Sequence, residues 1–343
     1  MSKKILVYGV GKLGESIIKG LIDRKIEVFC ESYNGPSDNE YVIDHKNVLV
    51  DILNSSKLKN NIYNKELKKE VSYIIVTLTG AVLEKEIDFL LSLGIPLVIL
   101  STKFDEKKIS QKAIDANVKI LMSQNMALGI VDFWNRIQKI PNVPDNSSEI
   151  YFFAIESHQN SKADISGSAI KVLEYFRSKE ICIFFDEEDK KSFKKGVDGE
   201  YGCIQCIRTE EVQLNDLKIP KEYISGHGYH TFSLFPEVWD DISSKYLSLL
   251  YREFKSLESY TIDGVFEFKV FLEQDNGLII VHNINGRDIY TDGVVQSIKF
   301  LEKQKQGVYS VIDIINQWCL DKSKFRTELA QSFCFIIKNI YNK

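Results

Sequence analysis

No apolar run in this 343-residue chain approaches the ~18 residues a membrane-spanning helix needs. Met1-Ser2-Lys3-Lys4 leads straight into a strand pattern, without the separate apolar region and cleavage site of a secretory leader. These absences predict a cytoplasmic protein with no membrane partner. Positive charge is also short. The 44 Lys and Arg against 48 Asp and Glu leave a net charge of -4 and a pI near 5.9, which argues against nucleic acid as a partner. Proline is scarce and Lys, Asn and Ile abundant, which reflects base composition more than function. The six cysteines, Cys30, Cys182, Cys203, Cys206, Cys319 and Cys334, read as thiols in a reducing compartment. Length supplies room for a large core and two domains.

One stretch, Glu156 to Ala169, holds a proton donor, a cation and an anion-binding helix start. Glu149 to Ile155 is rich in aromatic and β-branched residues, so it reads as a strand whose end delivers His158. Ala169, Ile170, Leu173 and Phe176 follow Ser166-Gly167-Ser168 at helical spacing, which casts the serines as an N-cap. Unpaired N–H groups and the helix dipole favour an anion there, with Lys162 beside it, so a small carboxylate substrate is implied. The plainer reading makes His158 and Lys162 loop residues and the serines only a cap.

The head of the chain favours the catalytic reading. Ile5 to Tyr8 runs into Gly9-Val10-Gly11-Lys12-Leu13-Gly14 and then into Leu13, Ile17, Ile18, Leu21 and Ile22 at helical spacing: strand, glycine turn, helix. Gly9 permits the tight turn, Gly11 lets backbone approach a pyrophosphate, and Gly14 allows close helix packing. Glu31 ends the next strand, about 20 residues after Gly11, where an acid accepts hydrogen bonds from a ribose. Its charge would repel a 2′-phosphate, so NAD(H) is preferred, with NADP(H) possible because Ser32 and Lys12 soften the preference.

Val48 to Val50, Val71 to Thr77, Pro96 to Leu100 and Val118 to Met122 are apolar runs suited to strands buried on both faces, mostly separated by helical patterns. This predicts an α/β fold: a Rossmann-type, doubly wound parallel sheet over residues 1–125. Thr77, Thr79, Ser101 and Thr102 follow strand ends, where such sheets bind ligands, though a polar turn explains them equally well. The junction Ser123 to Gly129, containing Asn125, leads into a helix from Leu128 to Ile140 and a second α+β domain over 126–309. There the pattern reads strand, helix, strand, then an irregular charged stretch from Asp186 to Gly199. Gly264 to Leu272 and Leu278 to Ile284 flank Gln274-Asp275-Asn276-Gly277, a hairpin signal. A mixed, largely antiparallel sheet is expected. Cys203, Cys206, His227 and His230 offer a zinc-like ligand set, but strand alternation and turn chemistry explain them without metal. Leu329, Phe333, Ile336, Ile337 and Ile340 form an apolar stripe of core or subunit-contact type.

The glycine turn, the Asn125 junction and the His158 stretch, in this order, resemble dihydrodipicolinate reductase, the nicotinamide-dependent reductase of bacterial lysine biosynthesis. Glu156 to Ala169 is similar to the family's E-x-H-H-x-x-K-x-D-x-P-S-G-T-A. Ser123 to Gly129 is similar to S-P-N-M-S-L-G, and Ser101-Thr102-Lys103-Phe104 stands where the family has T-T-G-F. Ile280-Val281-His282, Arg287, Tyr290, Asp292 to Val295 and Gly307-Val308-Tyr309 with Asp313 resemble later family motifs. The resemblance implies hydride transfer to a C=N or conjugated group of a cyclic amino acid derivative. His158 and Lys162 would be catalytic, with Gln159, Ser166, Gly167 and Ser168 at the substrate. Gly9, Gly11, Lys12, Leu13, Gly14, Glu31, Thr77, Thr79, Ser101, Thr102 and Asn125 would lie at the cofactor. It also implies a homo-oligomer, tetramer or dimer.

The departures are specific. Gln159 replaces a second histidine, one residue is missing before Ser166, and Lys103 replaces a glycine. The chain is longer than the family over about 186–262 and at its end, where 310–343 would pack back on the first domain. For the family's G-x-H motif, hairpin length points to Phe268, whereas Gly228-Tyr229-His230 is a local match that comes early. Hairpin length favours Phe268. Two other readings stand beside the lysine-pathway one: an oxidoreductase for a different imine or amino acid, supported by Gln159, and a nucleotide-binding protein without turnover.

Overall fold

A computed structural model describes residues 4–32, 41–46, 48–54, 65, 68–138, 151–179, 181, 183–235, 264–271 and 276–321. The chain divides into two compact units, Met1–Val131 with Arg287–Trp318, and Asp132–Gly286 with Cys319–Lys343. In chain order the elements begin with β1 (Lys4–Tyr8), α1 (Lys12–Asp23), β2 (Val28–Ser32), β3 (Tyr41–His45), β4 (Val48–Asn54) and β5 (Val71–Val76). They continue with α2 (Gly80–Ser92), β6 (Leu97–Ile99), α3 (Glu106–Asp115), β7 (Ile120–Met122), α4 (Leu128–Gln138), β8 (Tyr151–His158) and α5 (Gly167–Arg177). Then come α6 (Glu187–Ser192), β9 (Gly199–Tyr201), β10 (Ile204–Ile207), α7 (Glu210–Asn215), β11 (Gly228–Phe235) and β12 (Gly264–Phe271). The last are β13 (Asn276–Ile284), α8 (Asp288–Glu302), β14 (Val308–Ser310) and α9 (Val311–Asp321).

The first unit is an 8-stranded sheet in the order β14-β7-β6-β5-β1-β2-β4-β3. Every neighbouring pair is parallel except β3 with β4. Leu6, Val7, Ile74, Ile75, Val98, Ile99 and Ile120 are buried, as expected of strands covered on both faces. Strand order reverses between β1 and β5, so the glycine turn after β1 and the Thr77–Thr79 loop after β5 meet at the switch point where doubly wound sheets bind ligands.

The sequence suggests a domain boundary near 310, but Arg287–Trp318 groups with the first unit. The physical reason is α8. A Cβ on Gly20 of α1 would stand 2.4 Å from Thr291 Oγ1, and one on Gly293 would stand 1.9 Å from the Met126 carbonyl, so helix and unit approach at backbone distance. Arg24 adds an ion pair to Asp292 at 2.6 Å.

The second unit is a 6-stranded sheet in the order β12-β13-β11-β8-β10-β9. Only β8 with β10 is parallel; the other pairs are antiparallel. Three sequence expectations change here. The strand expected just before Asp186 does not form over 183–185, where Phe184 instead gives its carbonyl to Cys203 N–H at 2.6 Å. The charged stretch after it contains α6, closed by a capping box in which Asp186 accepts from Glu188 and Asp189 N–H groups. Most important, β9, β10 and β11 are strands of this sheet, so residues 199–235 are no appendage, and 236–263 lie outside the described residues. The hairpin pairs as expected, but Asn276 and Gly277 stand within β13 opposite Phe271 and Val270. Residues 272–275, Cys182, Cys334 and the stripe from Leu329 to Ile340 also lie outside the described residues.

Candidate active site

In the first unit the glycine turn has the geometry a dinucleotide requires. Gly9 takes φ 108°, a region closed to most side chains. A Cβ on Gly14 would stand 2.0 Å from the Gly9 carbonyl, which holds α1 against the turn, whereas one on Gly11 would meet nothing within 4 Å. Gly11 is also the N-cap of α1, and no side chain caps it. Among the described residues the helix therefore presents first-turn N–H groups that no side chain caps, which suits a pyrophosphate. Lys12 is exposed and Leu13 half-buried beside it. Glu31 lies on β2 opposite Tyr8 of β1.

The other sequence candidates divide. Thr77 Oγ1 donates to the Gly9 carbonyl, so this hydroxyl braces the turn. Thr79 is the exposed N-cap of α2 and makes no side-chain cap bond. A Cβ on Gly80 would stand 2.2 Å from Lys103 O and 2.4 Å from Thr102 O, so the loops after β5 and β6 touch. Ser101 is buried with its hydroxyl unpaired among the described residues, and Thr102 is exposed. Asn125 Oδ1 accepts from Ala127 N–H at 2.8 Å and shapes the entry to α4.

In the second unit four of the chain's five histidines converge. His158 is the last residue of β8. Its Nδ1 lies 3.1 Å from the His227 carbonyl and its Nε2 lies 3.3 Å from His230 Nε2. Below it, Glu156 Oε2 is 3.5 Å from His158 Nε2, while Oε1 accepts from Arg208 Nη2 at 2.5 Å. Gln213 Nε2 donates to the His158 carbonyl at 2.8 Å. Gly228 pairs with His158 across the strands, and a Cβ there would stand 2.9 Å from the ring's Cε1, so only glycine leaves room for the imidazole. His282 stacks on His230 with ring centroids 5.4 Å apart.

The serines do not behave as a simple cap. Ser166 occupies the N-cap position of α5 without capping it; its hydroxyl pairs with His230 Nε2 at 2.6 Å. Among the described residues no side chain caps the first-turn N–H groups, and a Cβ on exposed Gly167 would meet nothing within 4 Å. Gln159 and Ser168 are half-buried nearby in sequence. Lys162 Nζ pairs with Asp164 at 2.5 Å, and the aspartate side chain is 72% exposed. Such a contact is worth about 1 kcal/mol or less, so the ammonium is readily released to a substrate.

His230, Arg208, Glu156 and Gln213 are the site residues that sequence reasoning passed over or misassigned. Hairpin length had pointed to Phe268, which lies on the edge strand β12 opposite Ile279, while His230 meets His158 and Ser166. A signal was present. Glu156 and His158 on β8, and Gly228 and His230 on β11, each stand two residues apart, hence on one face of their strands, and Arg208 stands two residues after Cys206, just past the end of β10. The zinc-like set does not assemble: among the described residues the metal-type cluster is Glu156, His158 and His230, with ligand atoms within 4.8 Å of one another. Its members already serve each other, because Arg208 neutralises the carboxylate and Ser166 holds His230. Cys203 and Cys206 are buried free thiols; burial pushes Cys203 up to about 12, and burial with the Glu156 charge pushes Cys206 up as well.

Burial drives all four imidazoles toward the neutral form. It lowers His158 and His230 well below the usual value, the neighbouring histidines, Lys162 and Arg208 adding to the effect. It lowers His227 to about 4 and His282 to about 3. As pH falls below 6.5 the unfolded chain takes up protons that the folded cluster refuses, so stability present above pH 6.5 is lost toward pH 4 and below. The slope reaches about 1.4 kcal/mol per pH unit for each imidazole. A urea unfolding midpoint clearly lower at pH 5 than at pH 7.5 is expected; equal midpoints would contradict a neutral buried cluster.

No family model matches the chain. Curated relatives do. The chain is 23% identical to 4-hydroxy-tetrahydrodipicolinate reductase 1, chloroplastic, of Arabidopsis thaliana over 321 residues, 91% of this chain and 78% of that protein. It is 24% identical to the 4-hydroxy-tetrahydrodipicolinate reductase of Alkaliphilus oremlandii, covering 91% and 98% of the two chains. The chain is thus similar over most of its length to proteins named 4-hydroxy-tetrahydrodipicolinate reductase. Its reductase-type fold is matched by dipicolinate-bound dihydrodipicolinate reductase from Paenisporosarcina sp. TG-14, with a TM-score of 0.52 and 12% identity over 90% of this chain and 98% of that one.

Proposed function

We propose that this chain is an NAD(P)H-dependent reductase of a cyclic imine or enamine carboxylate, most like the 4-hydroxy-tetrahydrodipicolinate reductase of lysine and diaminopimelate biosynthesis, acting in the cytoplasm as a homo-oligomer. One observation carries it. The uncapped start of α5 offers backbone donors for a carboxylate in the same unit as an imidazole kept neutral and a lysine held only by an exposed partner.

The open, uncapped glycine turn fits a dinucleotide, with Gly9, Gly11, Lys12, Leu13 and Gly14 around the pyrophosphate and Thr79, Ser101, Thr102 and Asn125 toward the nicotinamide. When bound, that group supplies hydride to the imine carbon. Lys162 delivers the proton that the imine nitrogen needs, so C=N becomes CH–NH. His158, kept neutral by burial, is its partner; the alternative role of proton donor expected from the sequence does not suit a neutral imidazole. Ser166, Gly167 and Ser168, with Gln159, hold the carboxylate and orient the ring. Glu31 favours NADH over NADPH by repelling a 2′-phosphate.

A second reading keeps the chemistry and changes the imine. Gln159 in place of a histidine and the shortened loop before Ser166 favour it. The deciding measurement is NADH and NADPH oxidation on freshly generated 4-hydroxy-tetrahydrodipicolinate, with cofactor affinity taken in the same preparation. Rapid turnover, faster with NADH, is expected. Tight cofactor binding without turnover would transfer the assignment to another cyclic imine, and absence of both would end the reductase reading.

A further inference from the structure

Arg208 follows β10 with no exposed surface, and its partner Glu156 is likewise fully buried. Replacing a buried ion pair by apolar residues of similar volume is often neutral or stabilising, so stability alone does not account for this one. Its placement does. One guanidinium nitrogen reaches Glu156 Oε1 at 2.5 Å and the Asp164 carbonyl at 3.4 Å, and the other reaches the Ile207 carbonyl at 2.9 Å. The Phe193 ring lies 5.4 Å from its Cζ, and the Arg208 backbone N–H is held by Asp198. Glu156 stands two residues before His158 on the same strand face, and Asp164 belongs to the loop that carries Lys162.

We propose that Arg208 is a positioning residue for the reaction: it fixes the carboxylate beneath His158 and the carbonyl of the Lys162 loop, so that imidazole and ammonium are presented together. The two groups come from separate segments, and a planar fork with several donors joins them where a lysine could not. Arg208 also offsets the Glu156 charge. The groups facing His158 are Glu156 on its own strand, His230 on β11, and His227, Lys162 and Arg208 on the adjoining segments. Apart from the Glu156 carboxylate these are cationic or neutral. Without the guanidinium, that carboxylate would favour an imidazolium.

The proposal rests on the reductase reading, and its test has a readout that needs no turnover. The His158 Cε1–H resonance, assigned by its loss in His158→Gln, is titrated in wild type, Arg208→Met, Arg208→Lys and the double variant Arg208→Met with Glu156→Gln. In Arg208→Met the midpoint should rise by about one to three pH units, with kcat down about a hundredfold and NADH affinity unchanged. The double variant should return the midpoint toward wild type while kcat stays low. Arg208→Lys should keep the wild-type midpoint with reduced kcat. An unmoved midpoint in Arg208→Met overturns the proposal. If that variant does not fold, wild-type kcat in Arg208→Lys or in the double variant, neither of which leaves a buried charge unpaired, overturns it instead. Should wild type reduce no imine, the functional reading fails, and the midpoints still decide what Arg208 does to His158.

Discussion

Lys162→Ala is expected to cost about 10² to 10⁴ in kcat/KM while NADH affinity, read by fluorescence quenching, stays at the wild-type value. Hydride addition to a C=N carbon leaves an electron pair on nitrogen that must take a proton, and Lys162 is the ammonium on the loop that leads into the proposed carboxylate site. Its partner Asp164 is largely exposed, so truncation removes a contact worth at most about 1 kcal/mol. An unchanged melting temperature separates loss of chemistry from loss of fold. Turnover at the wild-type rate would remove Lys162 from the mechanism.

Gly11→Ala and Gly14→Ala should fail in opposite ways although they lie three residues apart. A methyl on Gly14 meets the Gly9 carbonyl at 2.0 Å and Thr77 Oγ1 at 2.9 Å, so the turn or the helix must move. Overpacking of this kind costs about 1 to 3 kcal/mol, visible as a lower melting temperature together with lost NADH affinity. A methyl on Gly11 meets nothing, so the fold should melt at the wild-type temperature. It would occupy the space through which backbone approaches the pyrophosphate, and NADH affinity should fall by about tenfold or more, 1.4 kcal/mol being a factor of ten. Wild-type affinity in Gly11→Ala would argue that no dinucleotide lies against this turn.

The parts legible in sequence were those whose chemistry is local. Gly9, Gly11 and Gly14 stand between a strand and a helix within a few residues, and turn, close approach and packing each need a missing side chain at a set spacing. His158, Lys162 and Ser166 likewise lie within nine residues, so a strand end followed by a helix start was enough to place them in one stretch. Even there the detail differed. Ser166 was read as a cap, and its hydroxyl was claimed by a histidine from another strand.

That exchange marks the division in this protein. Residue order by itself determined the alternation of strands and helices, the glycine turn, and which side chains share a face, because backbone sterics and the two-residue strand period act over a few positions. Which strands become neighbours was decided only in three dimensions. Strand β8 lies between β10 and β11, setting Glu156 opposite both Cys206 and His230, and this brings Arg208 beneath His158 and chooses His230 over Phe268. Strand pairing is fixed by burying a common apolar face among segments far apart in the chain, and no local spacing encodes that.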